Sequence, residues 1–246
     1  ESHYLKRKGL GDIHGIRYAS NHIAVAIINT LGDFQGLQTI FNDGQKRFSK
    51  GLAKKGHFAF IGALDLPEKL ATVHVCEGVA TAASIHCATG EPVFAALDAF
   101  NLLPVGRNLK KKYPKAQILI WADNDWQKAE QPLKSGHVLG NTGLIHANRT
   151  AFKLRNALVC TPDFTPFVTS ACTADMLLLL LSQSCEHPFF LFTYSLCITS
   201  AFGTLSSKAK ISSATDFNDL HGLAGLDVIA QTQPQKPDLH LALWHE

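Results

Sequence analysis

Two hydrophobic patterns share this chain, and the change between them falls near residue 70. From His22 to Phe60 short apolar stretches alternate with turn residues: Ile23 to Ile28, a turn at Gly32-Asp33, Leu37 to Phe41, then Asn42-Asp43-Gly44. Asp-Gly between apolar runs is a strong short hairpin signal, and it leads into Lys46-Arg47-Phe48-Ser49-Lys50, where basic residues interleave with an aromatic. Residues 1–70 therefore read as a small mixed α+β subdomain. From Ala71 the pattern becomes strand, helix, strand, helix, strand, over residues 71–76, 79–88, 93–97, 102–113 and 117–122. Such alternation predicts parallel strands joined by right-handed crossovers. Gly90 and Pro114 stand where helix ends are expected. Leu144, Ala147, Ala151 and Leu154 at helical spacing predict a further helix over residues 142–156, and Ala157 to Cys160 a fourth strand.

The stretch from Pro166 to Leu205 breaks this pattern, with Asp175 and Glu186 as its only charged residues. A membrane span needs about 20 consecutive apolar residues, and the polar run from Ser182 to Pro188 divides the segment into shorter pieces. A buried helical insertion, a membrane-touching hairpin and a poorly folded insert all fit the residues. The globular pattern resumes at Thr215-Asp216-Phe217.

Composition narrows the class only a little. With 46% hydrophobic and 17% charged residues the chain is expected to fold, and a net charge of +3 is mild. The basic residues are nevertheless clustered, at 6–8, 46–47, 50, 54–55 and 110–112, where they would meet phosphates or form a solvated face. Six cysteines without a Cys-x-x-Cys pair exclude a zinc ribbon and predict buried free thiols in a reducing compartment, hence a cytoplasmic protein. The histidines lack metal-ligand spacing. Neither an initiator Met nor a signal peptide stands at Glu1, which is compatible with a fragment of a longer chain.

The chemistry concentrates at two strand ends. Glu77-Gly78 follows the first strand of the alternating region, and Asp123-Asn124-Asp125 follows the third. In an open parallel sheet the site lies outside the carboxyl ends of the strands, so Glu77, Asp123 and Asp125 are expected to share one site. Magnesium is held by few carboxylates and keeps waters for substrate phosphates, which suits such a set. Structural roles compete with this reading: Glu77 as a helix-terminal acid and Asp123 as a turn former.

Val75-Cys76-Glu77-Gly78-Val79-Ala80-Thr81-Ala82 together with Ala122-Asp123-Asn124-Asp125 resembles the Toprim domain, shared by bacterial-type primases, topoisomerases and some nucleases. Ala96-Leu97-Asp98-Ala99-Phe100-Asn101-Leu102 and Gly140-Asn141-Thr142-Gly143 resemble the Toprim primases of plasmids, phages and integrating elements. The likeness covers residues 1–165 and 206–230, with 71–165 as the catalytic domain, 166–205 as an apolar insertion and 206–246 as its C-terminal completion and tail. It implies an α/β fold with a Toprim-like parallel sheet flanked by helices. It also implies a DNA primase, a nucleotidyltransferase that makes short RNA primers from NTPs on a single-stranded DNA template. A Toprim nuclease and a degenerate nucleic-acid-binding module are the alternatives.

By the same resemblance Glu77, Asp123 and Asp125 are catalytic and bind Mg2+ or Mn2+, with Asp163 as a further ligand and Asp216 in an outer acidic cluster. Arg47, Lys50, Lys54, Lys55, Asn101, Asn141 and Thr142 would contact template or incoming nucleotide, and a replicative or element-encoded helicase is an implied partner. Arg149 and Lys153 are expected in solvent. Two departures stand out: no zinc module precedes the catalytic part, and the apolar insertion falls between Asp163 and Asp216.

Overall fold

The computed structural model describes residues 2–125, 140–163 and 216–243. The expected insertion at 166–205, and Cys172, Cys185 and Cys197, lie outside them. Residues 1–162 and 215–246 form one compact unit; residues 163–214 form a second, of which Asp163 alone is described.

The first unit begins with a short helix, α1 (His3–Arg7), and an antiparallel region, β1 (Ile16–Tyr18), β2 (His22–Ile28), β3 (Phe34–Phe41) and β4 (Lys46–Phe48). Ile23, Val25 and Ile27 of β2 are fully buried while Ala24, Ala26 and Ile28 between them are more exposed, the alternation of a strand with one covered face. The Asp43-Gly44 turn joins β3 to β4 as expected, with Gly44 at φ 92°. Then β5 (Phe58–Ile61) leads to the alternating region, β6 (Thr72–Cys76), α2 (Val79–Thr89), β7 (Val93–Ala95), a 3-10 turn (Ala99–Asn101), α3 (Leu102–Lys112), β8 (Gln117–Trp121), α4 (Thr142–Leu154) and β9 (Ala157–Cys160). Three short helices close the chain: α5 (Phe217–Ala224), α6 (Leu226–Ala230) and α7 (Leu239–Ala242).

The described strands make one mixed sheet in the order β4-β3-β2-β5-β7-β6-β8-β9, with β1 paired to β2. β7, β6, β8 and β9 are parallel, as the alternation predicts. The antiparallel pair β5–β7 welds them to the first 70 residues, so both halves share one sheet. Helix α2 covers one face, with α5 and α6 against it. Helices α3 and α4 cover the other over a core of Phe58, Phe60, Val75, Phe94, Leu102, Leu109, Ile118, Ile120 and Leu154. Trp121 is buried on the α2 face, edge-on to Phe217, and its Nε1 donates to His74 Nδ1 at 3.0 Å. Burial pushes the His74 imidazole down to about 4, so it stays neutral and keeps Nδ1 as an acceptor.

Two expectations need correction. Cys76 and Cys160 are buried free thiols, but Cys87 is exposed because α2 turns that position outward. Arg149 is half-buried, its Nε donating to the Ala242 carbonyl at 3.3 Å, and so fastens α4 to α7. Among the described residues no helix is long and apolar enough to cross a membrane.

Candidate active site

Parallel pairing of β6 with β8 runs in register from Thr72↔Gln117 to Cys76↔Trp121, so the two strands end level and Glu77 and Ala122-Asp123 leave the sheet side by side. The chain after β7 continues the ladder: Ala96 N–H donates to the Cys76 carbonyl and Leu97 N–H to the Glu77 carbonyl, each at 2.8 Å. Leu97 has φ 77°, a conformation uncommon outside glycine, and it turns the chain so that Asp98 follows directly. Asp98 accepts the Asn101 N–H at 2.9 Å and pairs through its second oxygen with Lys54.

Electrostatically these ends form one acidic centre. Burial, then the charges of Asp125, Asp98 and Asp216, pushes the Glu77 carboxyl up to about 7. Asp123 is raised well above the usual range by burial first and by Glu77 next. One oxygen of each, Glu77 Oε1 and Asp123 Oδ1, is buried with no hydrogen-bond partner among the described residues. A buried carboxylate oxygen without a donor costs about 1–3 kcal/mol or more, so both atoms ask for a cation or a proton. Lys46 is the positive group that opposes the shift at both carboxyls.

The Asp123–Asp125 loop is held by the start of α4. Asn141 Oδ1 accepts the Leu144 N–H at 3.2 Å, capping the helix, and the Asp125 N–H at 3.0 Å, while Asn141 Nδ2 donates to Asn124 Oδ1 at 2.7 Å. Gly143 packs directly on Asp123: a Cβ there would fall 2.9 Å from the Asp123 Cβ and closer still to its backbone carbonyl. Gly143→Ala is therefore expected to displace the loop. Alanine's helix propensity would favour α4 by about 1 kcal/mol, yet the clash should leave a net loss of about 1–2 kcal/mol. Thermal unfolding checks it; an unchanged unfolding temperature would show that the loop yields freely.

The basic side faces the same centre. In β4, Phe48 lies opposite Gln38 and Lys46 opposite Ile40, both on the buried face of β3. Lys46 and Phe48 thus share the inward face, and Arg47, opposite Thr39 and 5.1 Å above the Phe41 ring, points to the other. Lys54 reaches back over Phe48, its Nζ 5.4 Å from the ring centre. Its loop is clamped by two asparagines. Asn101 Nδ2 donates to the carbonyls of Lys54, His57 and Ala96, Asn101 Oδ1 accepts the Gly56 N–H at 2.7 Å, and Asn108 Nδ2 donates to the Gly56 carbonyl at 3.1 Å.

The structure sets Glu77, Asp123 and Asp125 within one another's electrostatic field and adds Asp98, Lys46 and Phe48, which the sequence reading did not assign. Strand alternation was the available signal for the last two, since Lys46 and Phe48 must share a face that Arg47 does not. Asp216 contributes its field, but its oxygens are committed, one to the Asp219 N–H and one to the Thr81 hydroxyl, so it caps α5. Three expected contacts change character. Asn101 is 4% exposed with its amide spent on backbone, so it positions the Lys54 loop. Asn141 positions the acidic loop in the same way, and Arg47 is exposed on the sheet face away from the acids. Thr142 is half-buried in the first turn of α4, while Lys50 and Lys55 are exposed. Asp163 is exposed just beyond β9, at the start of the second unit. A concavity of about 860 Å3 against β1 and β2 is lined by none of the acids of the centre.

Among the described residues no three His, Cys, Asp or Glu side chains converge into a ready-made metal cage. The two buried carboxylates with unpartnered oxygens do suit magnesium or manganese, since Mg2+ takes one or two carboxylates and fills its remaining positions with water and substrate phosphate.

No family model matches the chain. Two curated proteins of Escherichia coli, each named DNA primase TraC, are similar to it. One is 37% identical over 91 residues, 37% of this chain and 9% of the relative; the other is 37% identical over 124 residues, 50% of this chain and 9% of the relative. The chain thus spans about a tenth of the length of these relatives, and the resemblance to DNA primases read from the motifs is borne out in sequence. Two solved structures overlap it loosely. The primase fragment of the bacteriophage T7 primase-helicase protein has a TM-score of 0.41 and 11% identity, over 59% of this chain and 56% of that one. A bacteriophage T7 lagging-strand DNA polymerase with primase domains bound to an RNA/DNA hybrid and dTTP has a TM-score of 0.35 and 10% identity, over 64% and 72%. At those TM-scores neither likeness bears on function.

Proposed function

We propose that this chain is the catalytic part of a DNA primase, joining NTPs into short RNA primers on single-stranded DNA. The observation that carries the reading is the pair of inward, unpartnered carboxylate oxygens of Glu77 and Asp123 with the basic face of β4 and the Lys54 loop turned toward them. Glu77 and Asp123 would hold Mg2+ or Mn2+, with Asp125 adding its charge beside them, and the ion when bound supplies charge neutralisation at phosphate oxygens. The chain's own residues do the rest. Asn141 and Gly143 fix the two aspartates against α4. Lys46 and Lys54, with Lys50 and Lys55 further out, attract template and nucleotide phosphates. Glu77, pushed up to about 7, exchanges a proton near neutrality and is suited to accept one from an attacking hydroxyl.

Incubating the protein with single-stranded DNA, labelled NTPs and Mg2+ or Mn2+ is expected to yield oligoribonucleotides, and a chelator is expected to abolish them. Shortened DNA in place of new RNA would overturn the primase reading in favour of a nuclease. Products that persist undiminished in excess chelator would sink the metal assignment.

A further inference from the structure

Strand β4 presents an aromatic ring between two lysines at the mouth of the acidic centre. Its three residues are all exposed, and β4 forms the open edge of the described sheet. Phe48 is 40% exposed, shares the inward face with Lys46, and lies beneath Lys54, which is itself paired with Asp98 beside Glu77. Phe48 is not the only exposed large hydrophobic of this subdomain, but unlike Phe34 it lies under a lysine and on the strand face that Lys46 turns toward the acidic centre. Single-stranded nucleic acid binds to such surfaces by setting cations against the phosphates and stacking bases on aromatic rings, and stacking tolerates every base.

We propose that Phe48 is a stacking platform for one base of a single-stranded DNA, with Lys46 and Lys54 gripping the phosphates on either side of that nucleotide. This rests on the primase reading and adds a base contact to it. Charge favours a strand as occupant: Lys46, Lys50, Lys54 and Lys55 surround the ring in sequence, and Asp98 already neutralises part of Lys54. A phosphodiester entering there would exchange with the Asp98 carboxylate for Lys54, and the backbone of the Lys54 loop would stay fixed by Asn101 and Asn108.

The test uses the full chain and two fluorescent oligodeoxynucleotides of equal length, one ordinary and one abasic throughout. Phe48→Ala is expected to weaken the ordinary strand roughly tenfold, within the range of a single base–aromatic stack, and to leave the abasic strand unaffected. Phe48→Trp should retain affinity, and Lys46→Ala and Lys54→Met should weaken both strands alike. Phe34→Ala, which removes a ring 63% exposed at the start of β3, serves as the control and should change neither. The platform is overturned if Phe48→Ala binds the ordinary strand as wild type does, or loses affinity equally for both strands. It is overturned too if the substitution weakens binding of free ATP and not of DNA. Failure of the wild-type protein to bind either strand would defeat the primase reading and the platform together, which separates that outcome from failure of the platform alone.

Discussion

Asp123→Asn is expected to abolish primer synthesis and, at the same time, to raise the unfolding temperature of the metal-free protein above neutral pH. The two effects share one cause. Asp123 sits where burial and the neighbouring Glu77 charge both oppose ionisation, and its Oδ1 has no donor among the described residues. Wherever Asp123 is ionised, the wild-type fold therefore carries a strained negative charge that a cation or a proton relieves. Asparagine keeps the shape and removes the charge. Stability should rise by about 1–2 kcal/mol, or several degrees for a chain of this size, and activity should fall at least about 100-fold because the ligand for the ion is gone. Primer assays and thermal scans in chelator check both readouts. A variant that is inactive but less stable would mean that the carboxylate is a structural turn former, and an active variant would move the metal site elsewhere.

Much of this centre was legible before the structure. Glu77 and Asp123 follow apolar runs of the kind that parallel sheets bury, and side-chain type and strand end together place them at one edge. The local stop signals held as well: Gly90, at φ 72°, ends α2. What stayed hidden was long-range. Nothing in residues 58–61 announces that this strand pairs antiparallel with β7, yet that pairing is what brings the basic hairpin and the acidic edge into one sheet.

Orientation was the second gap. A run such as Lys46-Arg47-Phe48 looks uniformly basic in one dimension, but a strand sends neighbours to opposite faces, so the arginine assigned to template lies away from the acids and the lysine not assigned lies toward them. Asn101 shows the converse error: polar and close to the motifs, it is consumed by four backbone partners. Polarity alone does not separate a residue that binds substrate from one that holds a loop in place.

The Glu77 carboxyl makes the same centre measurable without catalysis. Its pKa is pushed from 4.5 up to about 7 in the folded chain, so the folded state binds the proton more tightly than the unfolded state does. Stability from this group is fully present below about pH 4.5 and declines as pH rises toward about 7, where it levels off, the opposite of an ordinary ion-paired acid. A shift of that size corresponds to about 3 kcal/mol, which for this length means roughly 5–10 °C. A divalent ion competes with the proton for the same carboxylates, so millimolar Mg2+ should stabilise strongly near about pH 8 and hardly at all near about pH 5. Glu77→Gln, neutral at every pH, should lose its own share of the decline in chelator, Asp123 keeping the rest, and most of the magnesium response. Thermal unfolding of both proteins across that range, with and without the ion, decides it. An identical pH profile in the variant would place the titrating group elsewhere, and a magnesium effect of equal size at both pH values would show that the ion does not bind these acids.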